Sequence, residues 1–174
     1  DPAASGDWQT FDDGIISARV DGGRLVVSVN DLRDNAAWSG AGLSFTDFVL
    51  DVEATKLDGP DDNGIIVVFR LVDQANYYRF DISSDGYYAL SKVRDGVPRV
   101  VSEFHVSPAV QQGEATNHIR VIAQGDTFRF FANDIPLQLC ASSDPAVSPL
   151  WENPQSPDSG CLGAQVSDVW HDAD

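Results

Sequence analysis

The chain has 174 residues, the length of one ordinary domain, and its 11 basic residues against 27 acidic ones give a formal net charge of −16. A chain this acidic has no basic patch to neutralise phosphate groups, which argues against nucleic acid and anionic membrane surfaces as partners. No stretch reaches the run of about 18 apolar residues that a membrane-spanning helix needs. We expect one domain over residues 1–174, with a flexible N-terminal segment at residues 1–6.

The first half of the chain alternates short apolar runs with turn residues, as antiparallel β-sandwiches do. Residues 15–20 and 24–29 flank two glycines suited to a tight turn, so these two runs are predicted to pair as a hairpin. In residues 48–55 apolar side chains alternate with Asp51 and Glu53, which predicts a half-buried strand. Residues 65–69 are continuously apolar, which predicts a central strand buried on both faces.

The second half continues the same pattern of short strands. Residues 77–82, 87–93 and 99–101 are predicted to form a three-stranded meander. Residues 127–132 follow another alternating run, and Asn133-Asp134 then supplies a two-residue turn. The sequence therefore predicts an all-β fold, an antiparallel β-sandwich.

Several of these segments resemble the concanavalin A-like, laminin-G-like jelly-roll domains of bacterial extracellular proteins. The resemblance is carried by residues 45–48, 59–64, 68–70, 77–88, 117–126 and 131–134, within about residues 7–140 of the chain. It implies a jelly-roll sandwich in an exported protein. Such domains usually close with a further hairpin beside the N-terminal strand, and the sequence lacks the matching motif. We therefore expect the last strand to be missing, so that an open sheet edge pairs with another chain or with a missing C-terminal segment.

Cys140 and Cys161 are the two cysteines, 21 positions apart, and they bracket a loop rich in Ser, Pro and Asp. A disulfide closing residues 141–160 is the simplest interpretation, and it favours an oxidising, extracellular or cell-surface location. Such a bond would stabilise the fold by about 3 kcal/mol on the loop-entropy model. The alternative is a pair of unrelated buried thiols.

An acidic loop between the predicted strands offers hard oxygen donors at Asp58, Asp61, Asp62 and Asn63. Calcium prefers such ligands, so this loop is a candidate Ca²⁺ site. Asp and Asn are also the usual residues of tight turns, which is the alternative interpretation.

Aromatic residues supply the candidate ligand-binding positions. Tyr78 and Tyr87 fall in neighbouring predicted strands, where alternate tyrosines should share a face and the others should enter the core. Trp38 and Trp151 are candidates for an exposed sugar-stacking platform. Cross-strand tyrosine packing and a core position for Trp38 are the alternatives.

Catalysis is the weaker prediction. Asp51 and Glu53 lie two positions apart on one strand face, a spacing that two glycosidase carboxylates can use. Endoglucanases of similar fold carry Glu-x-Asp-x-x-Glu on this strand, whereas the corresponding segment here ends in Lys56. None of the three histidines has the spacing of a metal site or of a catalytic triad.

We therefore predict a non-catalytic extracellular module that binds a glycan or a protein at a cell surface. The first alternative is a structural subunit of a larger surface or membrane-associated assembly, which contacts its partners through the open sheet edge. The second alternative is a glycoside hydrolase of the concanavalin A-like fold.

Overall fold

The structure is a computed structural model that describes residues 8–30, 36–125, 127–140 and 161–162. The described part of the chain is built from antiparallel strands, without a helix long and apolar enough to span a membrane. The chain divides into two compact units, Asp1–Phe45 and Thr46–Asp174. The expectation of a single domain over residues 1–174 stays a prediction, and that of a flexible segment at residues 1–6 lies outside the described residues.

The first unit contains a three-stranded sheet in the order β1-β2-β3. Its strands are β1 (Phe11–Asp12), β2 (Ile16–Asp21) and β3 (Arg24–Val29). Gly22 and Gly23 connect β2 to β3 with φ angles of 55° and 78°, which glycine adopts without steric cost. The predicted hairpin is confirmed, with Asp21 directly opposite Arg24.

The second unit contains two four-stranded sheets. The meander sheet has the order β5-β6-β7-β8 and consists of β5 (Gly64–Asp73), β6 (Asn76–Ser83), β7 (Tyr87–Arg94) and β8 (Val97–Val106). The opposing sheet has the order β11-β10-β9-β4 and consists of β4 (Phe48–Ala54), β9 (Asn117–Gln124), β10 (Thr127–Ala132) and β11 (Ile135–Pro136). Two short strands, β12 (Leu139–Cys140) and β13 (Cys161–Leu162), pair with each other.

The core of the second unit takes its aromatic side chains from both four-stranded sheets. Phe80 of β6 stacks on Phe130 of β10, with ring centroids 4.6 Å apart. Phe69 of β5 meets Phe128 of β10 edge to face at 5.1 Å. These rings belong to one cluster of buried residues that β5 to β10 all supply. The predicted antiparallel β-sandwich is confirmed.

One strand assignment was wrong. The continuous apolar run at residues 65–69 predicted a central strand, but β5 lies at the edge of the meander sheet among the described strands. Ile65, Val67 and Phe69 face the core, while Ile66 and Val68 on the other face are half-buried. The apolar run therefore indicated the buried inner face of β5, but neither burial of both faces nor the central position of the strand was correct.

Candidate functional site

A groove of about 410 Å³ lies on the outer face of the meander sheet. Its lining includes Tyr77, Arg79, Asp81, Ser91, Pro98 and Phe104, which come from β6, β7 and β8. Its volume lies within the range of ligand pockets, and its lining combines aromatic and apolar side chains with an ion pair and a serine. We therefore treat the groove as the candidate functional site.

The strict alternation of β6 places three of these side chains in the groove. Tyr78, Phe80 and Ile82 are buried in the core. Because successive side chains of a strand point to opposite faces, the residues between them, Arg79 and Asp81, point outward. Tyr77 lies on the same outer face and lines the groove beside them.

Arg79 and Asp81 form a fixed ion pair at the base of the groove. The Arg79 Nε donates to both carboxylate oxygens of Asp81, at 2.8 and 2.9 Å, and Nη2 lies 2.6 Å from Oδ1. The Asp81 side chain is 4% exposed and that of Arg79 is 37% exposed. Burial raises the pKa of the Asp81 carboxyl above its ordinary value, and the hydrogen bonds and charge of Arg79 offset part of that rise.

Phe104 supplies an exposed aromatic ring at the rim of the groove. The pairing of β8 with β7 is irregular between Tyr88 and Ser91, because β8 uses more residues there than β7 does. Such bulges change the direction of side chains on the bulged strand. Phe104 lies within this irregular stretch and is 58% exposed. Its ring therefore lies where a ligand in the groove can contact it.

The predicted aromatic ligand-binding residues have different outcomes. Tyr78 is 1% exposed and stacks on Phe69 in the core, so its ring has no face for a ligand, and its assignment as a binding residue was wrong. Tyr87 is 39% exposed at the start of β7, and its role stays a prediction. Trp38 is half-buried in the first unit, and Trp151 lies outside the described residues.

The acidic loop before β5 is held by a lysine. Lys56 Nζ donates to the Gly59 carbonyl at 3.0 Å and also to Asp61. Asp58 Oδ1 accepts the Gly59 N–H at 2.7 Å, so this carboxylate serves the turn itself. In the described residues no group of three His, Cys, Asp or Glu side chains is placed to hold a metal ion. Calcium binding by Asp58, Asp61, Asp62 and Asn63 stays a prediction.

The outer face of the opposing sheet carries a network of charged side chains. Asp51 Oδ1 accepts from Arg120 Nε at 2.7 Å and lies 2.9 Å from His118 Nε2. Asp134 lies 3.2 Å from Arg120 Nη1. Glu53, the second carboxylate of the glycosidase alternative, is exposed on β4 opposite His118. The Asp51 carboxylate is thus already engaged by Arg120 and His118.

The backbone places the two cysteines opposite each other. Cys140 of β12 and Cys161 of β13 are direct partners in an antiparallel pair. Directly opposite residues in such pairs have Cα atoms about 4.5–5.5 Å apart, within the range that a disulfide spans. The predicted disulfide is compatible with this register and stays a prediction.

Comparison with known proteins gives one structural likeness. No protein-family model matches the chain, and no curated protein matches it. A solved structure, the carbohydrate binding module CBM66 from Bacillus subtilis, is similar over 94% of this chain and 89% of that chain, with a TM-score of 0.50 and 18% identity. A likeness at this identity shows the fold, a β-sandwich. The finer assignment to the concanavalin A-like, laminin-G-like family stays a prediction.

Proposed function

We propose that the chain is a non-catalytic glycan-binding module whose site is the groove on the outer face of the meander sheet. The observation that carries this proposal is the combination, in one groove, of the fixed Arg79–Asp81 pair and the exposed Phe104 ring. The solved structure that shares the fold is itself a carbohydrate binding module. That likeness agrees with the proposal.

The chemistry of the groove suits a sugar in two respects. A sugar ring has apolar C–H faces, which pack against aromatic side chains such as Phe104 and Tyr77. Its hydroxyl groups both donate and accept hydrogen bonds, and Arg79 and Asp81 offer a donor and an acceptor side by side. Because this pair is already held together, a ligand does not have to order it, which lowers the entropic cost of binding.

Affinity electrophoresis through gels that contain soluble neutral polysaccharides tests the proposal. We expect the parent chain to be retarded by at least one polymer, and Phe104→Ala to weaken that binding about tenfold or more. Ile135→Ala is the matched control, since Ile135 is an exposed apolar residue of the opposing sheet. Equal binding by the parent and Phe104→Ala would contradict the assignment of the groove.

We propose that the module is exported and that Cys140 and Cys161 form a disulfide. Their register across β12 and β13 supports this pairing, and such bonds persist in oxidising compartments. Protein produced in an oxidising compartment should have an intact mass about two daltons below that of the fully reduced chain, since each disulfide removes two hydrogen atoms. Two alkylatable thiols in that material would contradict the pairing.

A second candidate function, a structural subunit that pairs through a sheet edge, is favoured by β8. This ten-residue strand hydrogen-bonds to β7, and no other described strand hydrogen-bonds to it. Val97 and Val106 at its two ends are 55% and 63% exposed. Exposed apolar edge strands tend to recruit a further strand. A monomer in light scattering, together with glycan binding, would exclude self-association and favour the first function.

A further inference from the structure

We infer that the groove selects neutral glycans over carboxylated ones, and that the Arg79–Asp81 pair sets this preference. This inference rests on the proposed glycan-binding function. Its basis is the charge of the groove. Of the described residues that line it, Arg79 and Asp81 are the charged ones, one of each sign, so the lining is electrically neutral.

Asp81 already engages part of the Arg79 guanidinium before any ligand binds, and the remaining N–H donors of Arg79 stay available to a ligand. The Arg79 Nε is shared between both oxygens of Asp81, and Nη2 lies 2.6 Å from one of them. The ionised Asp81 carboxylate therefore compensates the guanidinium charge that would otherwise attract a second carboxylate. A carboxylated sugar would have to compete with Asp81, whose carboxylate lies at the base of the same groove.

Asp81 also opposes an anionic ligand directly. A carboxylate accepts hydrogen bonds and donates none, so it cannot bond to a second carboxylate when both are ionised. A hydroxyl group can donate to Asp81 while its neighbour accepts from Arg79. Two adjacent hydroxyl groups of a neutral sugar therefore match the pair, and an ionised uronic acid does not.

The net charge of the whole chain also disfavours carboxylated ligands. The formal net charge of −16 gives the molecule a field that repels polyanions at low salt. This long-range effect is screened at high ionic strength, whereas the contact between a ligand and Asp81 inside the groove is screened much less. The two contributions can thus be separated by salt.

The first experiment uses the parent chain. A glycan array of neutral and carboxylated sugars selects a neutral ligand, and its soluble polymer is then compared with the same polymer after its primary alcohols have been oxidised to carboxylates. We expect the oxidised polymer to bind about tenfold or more weakly, with part of the difference persisting in high salt. Equal or tighter binding of the oxidised polymer would overturn the inference and leave the glycan-binding function standing. Binding to no sugar on the array would overturn both.

The second experiment changes the net charge of the pair from zero to positive. Asp81→Asn keeps an acceptor for Arg79 but removes the carboxylate, so the groove gains an uncompensated positive charge. We expect the variant to bind the oxidised polymer better than the parent does, and the neutral polymer no better. Glu114→Gln is the control, because it makes the same change in net charge at an exposed loop position. An equal gain in both variants, or no gain in Asp81→Asn when circular dichroism and melting show it folded, would overturn the role of the pair.

Discussion

Both four-stranded sheets of the second unit carry arginine–aspartate pairs on their outer faces, but the two sites differ in burial. In the groove the Asp81 side chain is 4% exposed. On the opposing sheet the side chains of Asp51 and Asp134 are 44% and 71% exposed. The arginines of the two sites are similarly exposed, at 37% for Arg79 and 32% for Arg120, so the difference between the two faces lies in the burial of the aspartate. Water weakens the pairs on the opposing sheet, while the burial of Asp81 makes its pair with Arg79 costly to break.

The largest loss of stability should come from a substitution in the core between the two four-stranded sheets. Phe130 is fully buried and stacks on Phe80 across the two sheets. Phe130→Ala should lower the free energy of unfolding by about 3–5 kcal/mol, because it leaves a cavity in a packed aromatic cluster. Denaturant unfolding measures this change. A loss as small as that of an exposed substitution such as Ile135→Ala would contradict the packing between the sheets.

Substitution of Arg79 in the groove should cause the next largest loss in the free energy of unfolding. Arg79→Gln leaves Asp81 buried without its cation, and we expect a loss of about 1–3 kcal/mol at neutral pH, reduced from the buried-pair range because Arg79 is partly exposed. Arg120→Gln, the matched change on the opposing sheet, should cost about 0–1 kcal/mol. Denaturant unfolding of both variants compares the two faces directly. Equal losses would remove the distinction between them.

The pH dependence of stability should follow Asp81. Because burial raises its pKa in the folded chain, the folded state holds this proton more tightly than the unfolded state does. This contribution to stability is complete below the ordinary pKa of an aspartate and is lost as the pH rises through the raised folded value. The difference in unfolding free energy between the parent and Asp81→Asn should therefore shift against the parent as the pH rises across that window. A pH-independent difference would contradict the burial of the carboxyl.

The smallest effect on stability is expected from the charged side chains on the outer face of the opposing sheet. A double-mutant cycle of Asp51→Asn and Arg120→Gln should give a coupling energy of about 0.2–1 kcal/mol, as is usual for solvent-exposed pairs. High salt should reduce this coupling, since exposed charges are screened. The same cycle for Arg79 and Asp81 should keep most of its coupling in high salt. A salt-resistant coupling on the opposing sheet would show that the two faces are more alike than their burial indicates.

The strands could be predicted from the sequence because alternation and turn chemistry are local. Two residues in the left-handed region, Asn133 and Asp134, make the predicted two-residue turn. The groove could not be predicted in the same way, because its lining comes from three strands and from the irregular pairing of β8. No pattern within one segment shows which side chains of its neighbours will stand beside it.

The wrong assignment of Tyr78 as a ligand-binding residue was avoidable from the sequence. Tyr78, Phe80 and Ile82 form an apolar alternation in β6, which already assigns Tyr78 to the core and Tyr77, Arg79 and Asp81 to the other face. A shift of one residue exchanges the two faces of a strand. Reading the tyrosines by their strand period would have selected Tyr77 and found the ion pair beside it.

The lining of the groove depends on how many residues the irregular stretch of β8 contains. Between its pairing with Ser91 and with Tyr88, β7 advances three residues while β8 advances from Val100 to His105. Deleting one residue from this stretch, without altering any side chain of the groove, would reverse the inward and outward positions that follow it. Phe104 would then turn toward the interior and His105 toward solvent. The outward position of Phe104 therefore depends on the number of residues in this stretch as well as on their identity.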